Sequence, residues 1–151
     1  MTMDADRLVF VDTNVWLNAI ITTAPEHESA RQWLTRLKTD GAVFCVSPQV
    51  LREYLVAVTR GTIFESTLTP EEAVKDVESI LDNAELLEES ATVSYILRDL
   101  VRQYQVRGKQ IHDANIVATM LAHGVSHLLT YNPDDFRRFG EITLEPFPLQ
   151  G

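Results

Sequence analysis

Short apolar runs alternate along this chain with longer stretches in which apolar side chains recur every three or four positions. Leu8-Val9-Phe10-Val11 and Ala42-Val43-Phe44-Cys45-Val46 are continuous and rich in β-branched and aromatic residues. That is the pattern of strands covered on both faces of a parallel sheet, and it predicts strands near 7–12 and 42–46. Between them the periodicity predicts a helix from about Asn14 and another from about Pro25 to Lys38. Ser47 before Pro48 reads as an N-cap with proline at the first helical position, opening a helix through about Thr59. Thr69-Pro70-Glu71-Glu72 is a capping box and predicts a helix to about Asn83.

Beyond it, Leu86-Leu87 reads as a weak strand, and Ser90 can cap a helix running to about Val106, with Gly108 as the stop. Ile111 to His123 reads as a helix ending at Gly124, His127 to Tyr131 as a strand, Asn132-Pro133 as the start of a short helix, and 142–145 as a last strand. Gly61 to Thr67 is the least ordered candidate. Strands and helices in alternation predict an α/β domain around a parallel sheet. At 151 residues the expectation is a single domain, 1–151, with a substantial core.

Composition narrows the class. The one cysteine, Cys45, lies in an apolar strand and excludes an intramolecular disulfide framework. The N-terminal segment carries Asp4 and Asp6 where a secretory signal would carry base, and no apolar run approaches the roughly 18 residues of a membrane span. A soluble cytoplasmic protein is expected. The net charge of −9 argues at first against a nucleic-acid partner. Its distribution removes that objection, because Glu65 to Glu89 holds nine acids against Lys75 alone, and the rest holds 13 acids and 12 bases. The acidic stretch reads as a solvated helix face.

Four carboxylate positions remain that packing does not ask for, the last of them offered by the pair Asp134-Asp135. Asp12 follows the first apolar strand directly, and ligands in open α/β sheets bind beyond the carboxyl ends of strands. Asp113 falls within the stripe of Ile116, Val117, Met120 and Leu121, on the inward side of its helix. Glu53 shares a side of its helix with Val56 and Ala57, and Asp134-Asp135 lie just past another strand. Each has a purely structural alternative: an N-cap for Asp12, a macrodipole partner for Asp113, a salt bridge to Arg52 or Arg60 for Glu53, and a capping role under Asn132 for Asp135. His27 has no partner in view, and His112 and His123 read as ordinary surface or core histidines. Carboxylates buried near one another are costly unless cations or protons neutralise them. Hard oxygen donors select Mg²⁺ or Mn²⁺. The basic residues Arg102, Arg107 and Lys109 before Asp113, and Arg137 and Arg138 after Asp135, flank the candidate site.

Val11-Asp12-Thr13-Asn14, Glu53, His112-Asp113-Ala114 and Thr130-Tyr131-Asn132-Pro133-Asp134-Asp135-Phe136, in that order, resemble the PIN-domain pattern from about Leu8 to Phe139. The short form is similar to the VapC-type toxins of toxin–antitoxin pairs. The resemblance implies a three-layer sandwich with a central parallel sheet flanked by helices, and a metal-dependent endoribonuclease acting with one or two Mg²⁺ or Mn²⁺ ions. It implies Asp12, Glu53, Asp113 and Asp135 as metal-binding and catalytic residues, with Asp134 as the alternative fourth acid. Thr13, Asn14, Thr130, Asn132, Arg107, Lys109 and Arg137 would position the site or the RNA. A cognate antitoxin and a homodimer are the implied partners. Two other classes remain open. One is a module of this fold that binds without hydrolysis; the other is a phosphoaspartate hydrolase or receiver-type domain, although Asn14 stands where the former would want an acid.

Overall fold

A computed structural model describes residues 7–145; the acidic segment 1–6 noted above lies outside the described residues. The strands are β1 (Leu8–Val11), β2 (Val43–Val46), β3 (Glu85–Leu86), β4 (His127–Leu129) and β5 (Thr143–Leu144). The helices are α1 (Thr13–Ile20), α2 (His27–Thr39), α3 (Pro48–Thr59), α4 (Pro70–Asn83), α5 (Ala91–Tyr104) and α6 (Gln110–Ala122), and a single 3₁₀ turn spans Pro133–Asp135. All strand pairs are parallel, in the order β3-β2-β1-β4-β5.

That order contains a switch. From β1 the chain moves outward to β2 and β3, then crosses back to pair β4 on the other side of β1. With right-handed crossovers, α1 to α4 cover one face and α5 and α6 the other, and the direction reverses between β1 and β4, the place where open α/β sheets hold their ligands. The helix contacts agree, since α1 packs on α2 and α3, α3 on α4, and α5 on α6. Phe10 and Val11 of β1 and Leu128 and Leu129 of β4 are fully buried. The backbone N–H of Asp12 donates to the Leu129 carbonyl at 3.0 Å, which extends the pairing one residue past β1 and fixes the carboxyl edge.

Several expected details differ. The α6 stripe is not a narrow face: Ala114 and Ile116 through Met120 are all buried, so the helix is covered nearly all round and Asp113 stands in its first, half-buried turn. Ser47 does not cap α3; its hydroxyl is buried without a partner among the described residues. Glu89 does that work from the loop after β3, accepting from the Gln49 N–H at 2.8 Å. Ser90 and Asn132 likewise make no side-chain cap. Helix α5 ends at Gln105 in the left-handed conformation, short of Gly108. The segment 61–67 is an ordered turn, with Ile63 and Ser66 paired around Phe64 and Glu65 at positive φ.

The acidic stretch is more than a solvated face. Thr69 and Glu72 form the predicted capping box, and Asp76 accepts from the hydroxyl of fully buried Tyr54 at 2.7 Å. Cys45 is fully buried, and burial pushes its thiol up to about 11. No helix among the described residues is long and apolar enough to cross a membrane.

Candidate active site

Asp12 is 6 % exposed at the switch point, and both of its oxygens are held. Oδ1 accepts from the Thr13 N–H at 2.8 Å, so the N-cap expected as an alternative role is also present. Oδ2 accepts from the Thr130 hydroxyl at 2.8 Å, across the β1/β4 junction. Thr130 Oγ1 in turn accepts from Asn14 Nδ2 at 3.3 Å and from the Asn132 N–H at 3.0 Å, filling the one-donor, two-acceptor capacity of a hydroxyl. Asn14 Oδ1 takes the Tyr131 N–H at 3.1 Å. Thr13, Asn14 and Thr130 therefore orient Asp12 through one closed network, to which Asn132 contributes its backbone.

Glu53 reaches the same edge from α3. Its Oε2 accepts from Thr13 Oγ1 at 3.1 Å and its Oε1 from Gln49 Nε2 at 2.7 Å. Neither Arg52 nor Arg60 forms an ion pair with it among the described residues. Gln49 is 4 % exposed, and nothing in the sequence reading singled it out. Its second Nε2 hydrogen bond goes to the His112 carbonyl at 2.9 Å, while its Oε1 accepts from Asn115 Nδ2 at 2.7 Å. One amide thus ties Glu53 to the first turn of α6, where Asp113 sits. The only sequence signal was the i, i+4 spacing of Gln49 and Glu53, which puts both on one side of the helix.

The charges of the four acids reach one another. Burial is the main reason Asp12 is raised from 3.8 to about 6; the Thr130 and Thr13 hydrogen bonds oppose the rise, and Glu53 and Asp135 add to it. Asp113 is raised further, to about 7, by burial and then by Asp135, Asp12 and Glu53, against a smaller opposing pull from Arg138. Asp135 is exposed in the 3₁₀ turn and acts on both buried acids, whereas Asp134 is ion-paired with Arg137. Of the pair, Asp135 is the acid whose charge acts on Asp12 and Asp113.

The flanking bases sort differently from expectation. Arg137 is engaged by Asp134, and Arg138, which donates to Gln110 Oε1, is the cation felt by Asp113. Arg107 and Lys109 are exposed in the loop leading into α6. His27 does have a partner, the Asn18 carbonyl at 2.9 Å, and His123 contacts the Glu88 carbonyl at 2.7 Å.

This donor set suits a hard divalent cation. Asp12 retains lone pairs beyond its two hydrogen bonds, and carboxyls raised by burial and then by one another's charge gain from a cation between them. Among the described residues, no three acidic, histidine or cysteine side chains converge tightly enough to chelate one ion by themselves. Mg²⁺ does not require that, since it keeps several waters and is held by one or two carboxylates plus substrate phosphate.

A parallel sheet with a switch point, and four acids gathered over its carboxyl edge, define a class. The chain belongs to the PIN-domain family, whose model, described as PIN domain, matches residues 9–142. Among curated proteins it is similar to Ribonuclease VapC48 of Mycobacterium tuberculosis, with 29 % identity over 140 residues, covering 90 % of this chain and 95 % of the relative. Among solved structures it resembles VapBC2 from Rickettsia felis bound to a DNA fragment from their promoter, with a TM-score of 0.68 and 21 % identity, covering 91 % of this chain and 97 % of that one. It also resembles Mycobacterium tuberculosis VapC20, described as a sarcin-ricin loop cleaving toxin, with a TM-score of 0.65, 19 % identity and coverage of 87 % and 95 %.

Proposed function

We propose that this chain is a Mg²⁺- or Mn²⁺-dependent endoribonuclease and the toxin of a toxin–antitoxin pair. The observation that carries the reading is that Asp12 and Asp113, raised chiefly by burial to about 6 and about 7, lie within electrostatic reach of each other and of Glu53 and Asp135. Similarity to Ribonuclease VapC48 over nearly the whole chain supports the reaction class, and likeness to VapBC complexes supports a protein antitoxin as partner. A single domain assembling as a homodimer is part of the same proposal and rests on the family resemblance.

Asp12 and Asp113 would hold the cation, with Asp135 completing the set from the 3₁₀ turn. A bound divalent ion supplies activation of the attacking water and neutralises charge on the phosphoryl oxygens. Thr130 and the Thr13 N–H keep Asp12 in one orientation, so no reorganisation is needed as substrate arrives. Glu53, held by Gln49 and Thr13, would accept a hydrogen bond from the attacking water and set its direction. Expression of the chain alone should arrest growth, and co-expression of the cognate antitoxin should relieve it. Equal arrest by the unsubstituted chain and by the Asp12→Asn/Asp113→Asn double variant would show that catalysis is not the cause.

A further inference from the structure

Helix α3 has two faces with opposite fates. Val50, Tyr54 and Val58 are fully buried against the domain. Gln49, Arg52, Glu53, Val56, Ala57 and Arg60, at i, i+3, i+4, i+7, i+8 and i+11, form a second stripe along one side of the helix. That stripe lines an open groove of about 520 Å³ whose other wall is His112 and Asp113 at the start of α6. The groove is continuous with the acidic site, because Glu53 and Asp113 belong to both. Its volume lies within the range of clefts that take a ligand of drug size.

Its chemistry changes along its length. Asp113 stands on the α6 wall and Glu53 on the α3 wall, while the rest of the α3 stripe runs Arg52, Val56, Arg60. Both arginines are exposed, and neither forms an ion pair or a side-chain hydrogen bond among the described residues, unlike Arg98, Arg137 and Arg138. Eight residues of helix separate them by about 12 Å along the axis, enough to engage different phosphates of one strand. Between them Val56 is 55 % exposed, an apolar surface next to Ala57. Two free guanidinium groups flanking an apolar patch, opening onto a carboxylate site, match a flexible polyanion that carries flat apolar rings.

We propose that this groove seats a single-stranded stretch of the RNA substrate beside the cleaved bond, with Arg52 and Arg60 on its phosphates and a base or ribose over Val56 and Ala57. The assignment rests on the ribonuclease reading and adds the subsite that holds the strand. Arginine contacts to non-reacting phosphates strengthen substrate and transition state alike, so they should act on KM and leave kcat unchanged.

The test uses a fluorescein-labelled pool of single-stranded oligoribonucleotides of mixed sequence. Binding is titrated in Mg²⁺ over a salt series, with Asp113→Asn in every chain to prevent turnover. Adding Arg52→Ala and Arg60→Ala should weaken binding about tenfold and flatten the slope of log affinity against log salt by about 1.4, two single-strand phosphate contacts. The control, Arg36→Ala with Arg98→Ala, removes the same charge from α2 and α5 and should leave that slope nearly unchanged. With Asp113 restored, the Arg52/Arg60 variant should show a raised KM and unchanged kcat. Unchanged affinity and slope would overturn the proposal. Binding is measured whether or not the chain cleaves, so failure of the ribonuclease reading would show separately, as absence of cleavage in the unsubstituted chain.

Discussion

Replacing Asp113 by asparagine keeps the shape of the side chain and removes one charge from a half-buried position surrounded by three other acids. Burial and the charges of Asp135, Asp12 and Glu53 raise this carboxyl from 3.8 to about 7, so its ionised form opposes the metal-free fold. The whole shift would correspond to about 4 kcal/mol. Because Asp113 is only partly buried, solvent screening reduces the expected effect to about 1–2 kcal/mol. The native state binds the proton more tightly than the unfolded chain, so stability falls as pH rises from about 4 to 7, and the full penalty is present above 7. Asp113→Asn should therefore melt higher than the unsubstituted chain at pH 8 in EDTA, by roughly 2–8 °C for a chain of this size. The difference should vanish toward pH 4. In Mg²⁺ the order should narrow or reverse, because bound cation stabilises the carboxylate form by mass action. Asp12→Asn should not share the gain: its amide would face either the Thr13 N–H or the Thr130 hydroxyl donor to donor, at a cost of about 1–3 kcal/mol. Thermal unfolding across pH, with EDTA and with Mg²⁺, decides the matter. A variant that melts lower in EDTA at pH 8 with an undiminished Mg²⁺ response would mean that Asp113 supports the fold and the cation binds elsewhere.

Gln49→Leu removes the amide that joins Glu53 to α6, and should lower kcat about 10- to 100-fold with little change in RNA affinity; unchanged kcat would show that Glu53 needs no such anchor. At limiting Mg²⁺, cleavage should fall as pH drops through about 7 and then 6, because Asp113 and Asp12 must ionise to hold the cation. Excess Mg²⁺ should move that fall to lower pH, and a pH profile indifferent to Mg²⁺ concentration would count against these two residues as its ligands.

The sheet and helices were legible because continuous apolar runs and 3.6-residue periodicity dominate this chain, and the motif acids Asp12, Glu53, Asp113 and Asp135 lie close enough for their charges to raise Asp12 or Asp113. What escaped depends on partners distant in sequence. Ser47 matched the local signature of a cap, yet Glu89, forty residues beyond the Gln49 N–H it accepts, supplies it. Gln49 and Asn115 are single amides in helical turns, and their pairing exists only because α3 and α6 meet over the sheet edge. Phe64 and Glu65 adopt positive φ without the Asn-Gly that announces such a turn. Arg137 and Arg138 are adjacent, and only the chain's path through the 3₁₀ turn decides that the first pairs with Asp134 and the second faces Asp113.

The most direct test of the central claim is cleavage of a structured RNA pool by the purified chain, with contaminating nucleases excluded by a parallel preparation of Asp113→Asn. Cutting should require Mg²⁺ or Mn²⁺, stop in excess EDTA, return when the cation is restored, and be absent in Asp113→Asn. Cleavage that continues undiminished in EDTA, or at equal rate in the variant, would contradict the account.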